Sequence, residues 1–554
     1  MADSHESRNE GPLLVDTGKG LSVSWKGRFL YSSRDPAALP VRTALQATIR
    51  PETLVLCPSP LLGYGMRELL DAMPASCSIL ALEESEELMS VTASMLPTSI
   101  KDNPRFRCFR LDSPAQALHI IEAIQGFPFR RCLRLDLSGG AALNPNFYRE
   151  AHAVIDEHLS RWWKNRFTLM RLGRGYGRNI FRNMPALLRS RSLQDLFPDA
   201  MKKPICVCGA GPSLDRLLPE LLAHRADLFI LAVDAAVPSL IYSGLKPDLI
   251  LVLESQFWIE ESLYAAARSG IPVLGDLTAR PGALSIPSGP AAFCLTEYAD
   301  MAFLKRLKQE FPLLPRFMPL GSVGLTALQA ARSLAHPNKP VLFCGLDFSW
   351  KAGYTHSREA PAPARERREQ SRFRPLQSDP SELKTGVRRA AGKQGAAYTD
   401  PALSGYAQSA TEMMKTGSFL DLGEEGLPLG VPGIRLGRAI AEWMDPSAEK
   451  EAGGATRTQQ TGASSSRANS FLRAEKKTLE DLRGILTGES GETNDSTPEE
   501  QSLRVLEILR SCDYLWTHFP DGHRGPSLEK AFLNRVRVAI EYFLKSIDTA
   551  LSEL

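Results

Sequence analysis

Three short runs in this chain combine residue types at spacings that could hold an anion and move a proton. The first is Gly209-Ala210-Gly211-Pro212-Ser213-Leu214-Asp215, directly after the apolar run Pro204–Cys208 and before a helical pattern that continues to Ala223. Glycines at a strand-to-helix turn let backbone amides approach a phosphate at the helix N-terminus. Pro212 removes one donor, and Leu214 stands where a dinucleotide fingerprint would place its third glycine, so the run reads as a nucleotide loop but a poor NAD loop. Ser213 also suits a helix cap. Asp234, after the next apolar run, is placed to hold a ribose hydroxyl. The second run, Gly321-Ser322-Val323-Gly324-Leu325-Thr326-Ala327, opens another helix. The third is Gly345-Leu346-Asp347, at the end of the apolar run Val341–Cys344, with His356 close behind. A carboxylate at the carboxyl end of a parallel strand sits where open α/β sheets bind ligands. A histidine beside it is a candidate general base, although a lone histidine is more often a packing residue.

Alternating apolar runs and helical patterns must position these residues. Pro204–Cys208, Leu228–Val233, Leu249–Leu253, Val273–Leu274, Ala292–Leu295 and Val341–Cys344 read as strands of a doubly wound sheet. The predicted fold is α/β, with a central Rossmann-like doubly wound domain, a smaller N-terminal α/β domain and a C-terminal helical region. A polar tail over 1–24 precedes an N-terminal domain over 25–145, with strands at Thr53–Cys57, Ser78–Leu82, Arg105–Leu111 and Cys132–Leu137. Gly63 and Gly65 could form a phosphate loop there, but Pro58 and Pro60 oppose it, and a structural domain that binds nothing is expected. A helical connector spans 146–200, where Arg161, Lys164, Arg166 and Arg171 alternate with Trp162, Trp163 and Phe167. Such a pattern can bind nucleic acid, yet a charged helical face explains it more simply. The central domain, 201–445, carries a basic insert over 360–393 with Arg365, Arg367, Arg368, Arg372, Arg374, Arg388 and Arg389, too polar for a core and read as a loop or lid. A linker over 446–470 leads to helices over 471–554, where Thr497-Pro498-Glu499-Glu500 is a capping box and Leu528, Phe532, Val536, Ile540, Phe543 and Ile547 recur at helical spacing.

Composition narrows the class. With 43% hydrophobic and 23% charged residues and a net charge of +3 over 554 residues, the chain is globular, is too long for one core, and has no global field toward nucleic acid or anionic membranes. Nine scattered cysteines without metal-ligand spacing fit a reducing compartment. The acidic start lacks the order of a signal peptide, and the most apolar stretch, Leu228–Tyr242, is broken by Asp234, so a cytoplasmic protein without a membrane span is expected.

The runs GAGPSLD (209–215), AVPSLIYSGLKPDLILVLE (236–254), GSVGLTALQAA (321–331) and CGLDFSWKAGYTHS (344–357) resemble the central domain of motility accessory factor proteins. GRFLYSSRDP (27–36) and LLGYGMREL (61–69) resemble that family's first domain, so the likeness extends over residues ~25 to 440. Proteins of this family are flagellin glycosyltransferases, and their central domain is similar to bacterial CMP-sialyltransferases. The resemblance thus implies transfer of a CMP-activated nonulosonic acid to a Ser or Thr hydroxyl of flagellin, with flagellin and the CMP-sugar as partners and no tightly bound cofactor. It implies that Gly209, Gly211, Ser213 and Asp234 hold cytidine and phosphate, and that Ser322, Thr326 and Asp347 complete the donor crevice. His356 would take the acceptor's proton, and the insert arginines would close over the donor's charges. The same domain is also similar to MptE-like hydroxymethylpterin diphosphokinases, which use ATP and Mg²⁺. Glu254 is followed by Ser255 rather than a second acid, and no DxD triplet occurs, so no metal is expected. Two alternatives stand beside the transferase: a diphosphokinase-like enzyme, and a non-catalytic protein that binds flagellin through its helical tail.

Overall fold

A computed structural model of the chain describes residues 11–123, 129–375, 381–444, 464–488 and 497–554. Contacts divide it into two compact units. One runs through Leu169 and includes Pro520–Gly525; the other comprises Met170–Phe519 and Pro526–Leu554. The division falls inside a single helix, Pro145–Arg189.

The first unit holds a four-stranded parallel sheet in the order Phe106–Arg110, Ser78–Glu83, Thr53–Pro58, Arg131–Arg134. Apolar clusters cover it, one around Val55, Met66 and Ile79 and one around Leu54, Leu80 and Tyr148. The expected polar tail is partly structured: Leu13–Asp16, Leu21–Trp25 and Arg28–Phe29 form an antiparallel meander. Val23 is buried and the Ser22 hydroxyl donates to the Tyr31 carbonyl at 3.1 Å, so the short alternation Leu-Ser-Val-Ser-Trp outweighs the polar composition around it. At the carboxyl edge of the parallel sheet the chain fills its own crevice. Ser59 Oγ donates to Glu83 Oε2 at 2.6 Å, Tyr148 Oη donates to Glu83 Oε1 at 2.9 Å, and Gly140 packs so tightly on Ser59 that a Cβ would overlap it. In the basic helix, the Trp163 indole N–H donates to the Phe129 carbonyl at 2.7 Å, and Phe181 is fully buried; these aromatics serve packing.

The second unit is built on eight parallel strands in the order Arg316–Phe317, Ala291–Thr296, Val273–Asp276, Leu249–Val252, Phe229–Val233, Ile205–Cys208, Val341–Cys344, Phe419–Asp421. Runs such as ICVC, FILAV and VLFC are buried at every position, as strands covered on both faces require. From Ile205–Cys208 the chain adds strands outward on one side, then returns with Val341–Cys344 on the other. The topological switch point therefore lies between these two strands, where ligand crevices of such sheets open. Sequence periodicity did not reveal the edge strands Arg316–Phe317 and Phe419–Asp421, because two or three residues cannot display a period.

The C-terminal helices Ser464–Thr487, Pro498–Ser511 and Lys530–Ser552 belong to this second unit. The capping box forms as expected, with Glu500 N–H donating to Thr497 Oγ1 at 3.3 Å. Phe532, Val536, Ile540, Phe543 and Ile547 are buried, whereas Leu528 precedes the helix and is exposed. Of the expected linker, 446–463 lies outside the described residues and 464–470 is helical. Asp513 accepts from Ala302 N–H at 2.6 Å and Phe303 N–H at 3.1 Å, capping the helix Ala302–Glu310 and tying the tail to the sheet domain. No helix among the described residues is long and apolar enough to cross a membrane.

Candidate functional site

The glycine loop and the strand end Gly345–Asp347 interlock across the switch point. Gly209 N–H donates to the Cys344 carbonyl and Gly211 N–H to the Gly345 carbonyl, each at 2.8 Å. Ser213 N–H and Oγ donate to the two oxygens of Asp347 at 2.8 and 2.6 Å, and Gly345 N–H donates to Ser213 Oγ at 3.2 Å. The anion held at this helix N-terminus is thus the chain's own carboxylate. This corrects the role expected of Gly209 and Gly211. Their amides are engaged within the protein, and their missing side chains serve the approach of two loops: a Cβ on Gly209 would lie 2.8 Å from the Gly345 carbonyl carbon, and one on Gly211 would lie 2.8 Å from the Gly345 oxygen. The left-handed Gly345, at φ +67°, closes the same contact.

The other expected residues are placed around this knot. Gly324, at the start of the helix Val323–Leu334, packs on Leu346, which also abuts Gly209, so the Ser322 turn adjoins the two loops. Ser322 makes no side-chain cap bond there. Thr326 is buried along that helix and lies in packing rather than at an open surface. Asp234 ends the strand beside Ile205–Cys208 and is buried, with Ala235 N–H donating to its Oδ1 at 2.6 Å. Ser357 joins the Asp234 side to the glycine loop, its N–H donating to the Ala210 carbonyl at 2.8 Å and its hydroxyl lying 2.8 Å from Ser239 Oγ. Next to it, His356 is exposed, with Nδ1 3.2 Å from Thr355 Oγ1. The packed chain around it lowers its pKa, opposed by nearby Glu366.

Four residues outside the expected set surround these loops. Asp215 accepts from the Tyr354 hydroxyl and from Arg358 N–H, the latter at 2.8 Å. Asp421 ends the strand that pairs with Val341–Cys344, and Lys393 donates to its carboxylate and, at 2.8 Å, to the Gly423 carbonyl. Asp215 and Tyr354 stand inside the runs 209–215 and 344–357, where residue type alone does not reveal that they pair with each other. Asp421 could have been found only from the small signal of two apolar residues ending on an acid. The insert differs from the expected loop. It forms the helix Pro361–Arg368 with Ala364 buried, and the hairpin Arg388–Gly392/Gly395–Thr399, while 376–380 lie outside the described residues. Its arginines are mostly held by the chain itself: Arg365 and Arg368 by Glu261, Arg367 by Glu359, Arg374 by Glu369, Arg388 by Ser404 and Arg389 by Tyr398.

Burial pushes the Asp234 carboxyl up to about 7, with the Ala235 N–H opposing and Glu254 adding repulsion. Between about pH 4 and 7 the folded protein holds a proton here that the unfolded chain has released. The resulting stabilisation is complete below about pH 4 and is lost as pH rises through about 7. Asp234→Asn keeps the shape without titrating. Its stability relative to wild type is expected to improve by up to about 4 kcal/mol between about pH 4 and pH 8. Denaturant midpoints of both proteins at each pH check this, and parallel pH courses would show that ionised Asp234 is well solvated.

The family model for 6-hydroxymethylpterin diphosphokinase MptE-like proteins matches residues 178–353, a span that contains the glycine loop, the Ser322 turn and Asp347. The chain carries an MptE-like domain. An uncharacterized protein of Treponema pallidum (strain Nichols) is 32% identical over 559 residues, covering 98% of this chain and 96% of the relative, and the chain belongs to one family with it. Among solved structures, the Maf glycosyltransferase from Magnetospirillum magneticum AMB-1 superposes with a TM-score of 0.51 over 99% of this chain and 93% of that one, at 13% identity. The chain therefore has the fold of a Maf glycosyltransferase, as the motility-accessory-factor runs implied, with the MptE-like domain at its switch point.

Proposed function

We propose that the chain is a glycosyltransferase that moves a nonulosonic, sialic-acid-like sugar from a CMP-activated donor to Ser or Thr hydroxyls of flagellin. The observation that carries this reading is the pair of interlocked loops at the switch point, with His356 exposed beside them, in a chain with the fold of a Maf glycosyltransferase. Asp234 would hold a ribose hydroxyl. Asp347 and Ser213 would fix the shape of the crevice around the phosphate, Gly209 and Gly211 would allow the loops to close, and Ser322 would line the opposite side. Thr326 would support that turn from within. In the step itself the acceptor oxygen bonds to the anomeric carbon, the bond from that carbon to the phosphate oxygen breaks, and CMP leaves with the electron pair. His356 takes the acceptor's proton. CMP is a monophosphate leaving group, so protein cations and hydroxyls suffice, and transfer needs no metal.

The MptE-like name of the central domain favours a second reading, an ATP- and Mg²⁺-dependent diphosphokinase. One experiment separates the two. Flagellin coexpressed with this chain and a CMP-nonulosonate pathway is expected to gain the mass of one or more sugar residues, and transfer by the purified chain should survive EDTA. Activity lost in EDTA and restored by Mg²⁺ would favour the kinase. Flagellin bound but unchanged in mass would leave a non-catalytic accessory protein.

A further inference from the structure

One cation of the insert reaches the strand ends at the switch point directly. Lys393 stands in the turn of the hairpin Arg388–Gly392/Gly395–Thr399, and its own N–H donates to the Gly426 carbonyl at 2.9 Å. Its ammonium donates to Asp421 and to the Gly423 carbonyl. Asp421 and Asp347 end paired neighbouring strands or the loop just beyond, and both are buried, at 4% and 5% exposed. Asp421 lies near enough to Asp347 to disfavour its charge, and Lys393 favours both charges. Another buried acid, Glu425, is held by Arg216 at 2.7 Å and by Lys351.

The buried Asp421 carboxylate and the Gly423 carbonyl, with Asp347 close by, make an oxygen-rich set of the kind that suits a hard divalent cation. Here a tethered ammonium fills it. An ammonium has three donors, two of which are engaged, leaving one for a third acceptor. Gly426, at φ +97°, lets the segment that receives Lys393 lie against Asp347, where a Cβ would come within 2.7 Å of the Asp347 Cα. The hairpin tip, Asp421 and Asp347 are therefore fixed as one unit at the switch point.

We infer that Lys393 is the resident cation of these strand ends, standing where a divalent metal ion would, and that its remaining N–H binds the phosphate of a nucleoside monophosphate leaving group. The phosphate contact rests on the donor reading above; the cation site does not.

Two measurements on the full chain test the two parts. Mn²⁺ binding followed by electron paramagnetic resonance is expected to show no uptake by wild type and about one equivalent by Lys393→Gln. Equal uptake by both, or none by the folded variant, overturns the resident cation. CMP and cytidine are then titrated calorimetrically in chelator. Lys393→Gln is expected to weaken CMP by at least about tenfold while leaving cytidine unchanged, and Lys393→Arg to recover most of the loss. Equal CMP affinity overturns the phosphate contact. If wild type binds neither CMP nor cytidine, the donor reading has failed, the phosphate contact falls with it, and the Mn²⁺ result decides the cation site by itself. Should Lys393→Gln not fold, Lys393→Met, which keeps the apolar stem, is read in the same way.

Discussion

His356→Ala is expected to leave CMP-donor affinity within about twofold of wild type and to lower transfer by ~10² to 10⁴, the usual share of general base catalysis. The side chain is exposed beside Ser357, whose backbone and hydroxyl tie the glycine loop to Ser239, so removing the imidazole takes away no bond of that tie. Because desolvation lowers its pKa, the wild-type rate should be on its plateau at pH 7 and fall only below the ordinary histidine range, and the variant should lose that acid limb. Donor affinity by calorimetry and single-turnover transfer across pH, on the same purified protein, check both parts. Near-normal transfer would remove His356 from the mechanism, and joint loss of binding and transfer would make it a packing residue.

Gly211→Val is expected to damage fold and site together. From the sequence, a branched side chain at this position should only obstruct the phosphate. In the structure the new Cβ would overlap the Asp347 carboxylate and lie 2.8 Å from the Gly345 oxygen. The carboxylate would have to move from Ser213, leaving a buried charge without its two donors, and the strand ends would have to separate. A loss of about 3 kcal/mol in unfolding free energy follows, with no measurable CMP binding. Gly405→Ala is the matched control. It lies in the helix Pro401–Met414 with no atom within 4 Å of the added Cβ, and should be neutral or stabilising by about 0.5–1 kcal/mol. A Gly211→Val protein as stable as wild type would show that the loops are less tightly locked than the distances require.

Lys393 and His356 divide the proposed chemistry. The lysine acts on the leaving group and the histidine on the incoming hydroxyl, so their single variants should differ in kind: the first weakens donor binding, and the second spares it. Arg365 and Arg367 of the insert are paired with Glu261 and Glu359, whereas Lys393 at the hairpin turn meets the buried Asp421.

The central strands of both sheets could be read along the chain because parallel strands covered on two faces must be apolar at every position, and a run such as FILAV or VLFC carries that requirement within itself. The same holds for the glycine turn at 209–211, the capping box at Thr497–Glu500 and the apolar stripe of the last helix, whose causes act over a few residues. What the glycines face is another matter. Ser213 and Asp347 are 134 residues apart, and only the strand order, which sets Val341–Cys344 beside Ile205–Cys208, brings the carboxylate to the loop amides. That pairing turned an expected phosphate cradle into an internal anion site. Asp421 and Lys393 were hidden for a related reason: a three-residue edge strand shows no period, and a lysine in a polar insert looks solvated until a neighbouring strand supplies its acceptor. Local sequence determined where the chain turns and which faces are apolar, because backbone conformation and burial are decided over a few neighbouring residues. Tertiary structure alone decided which charges meet, because the partner of a buried charge is set by strand order and not by distance along the chain.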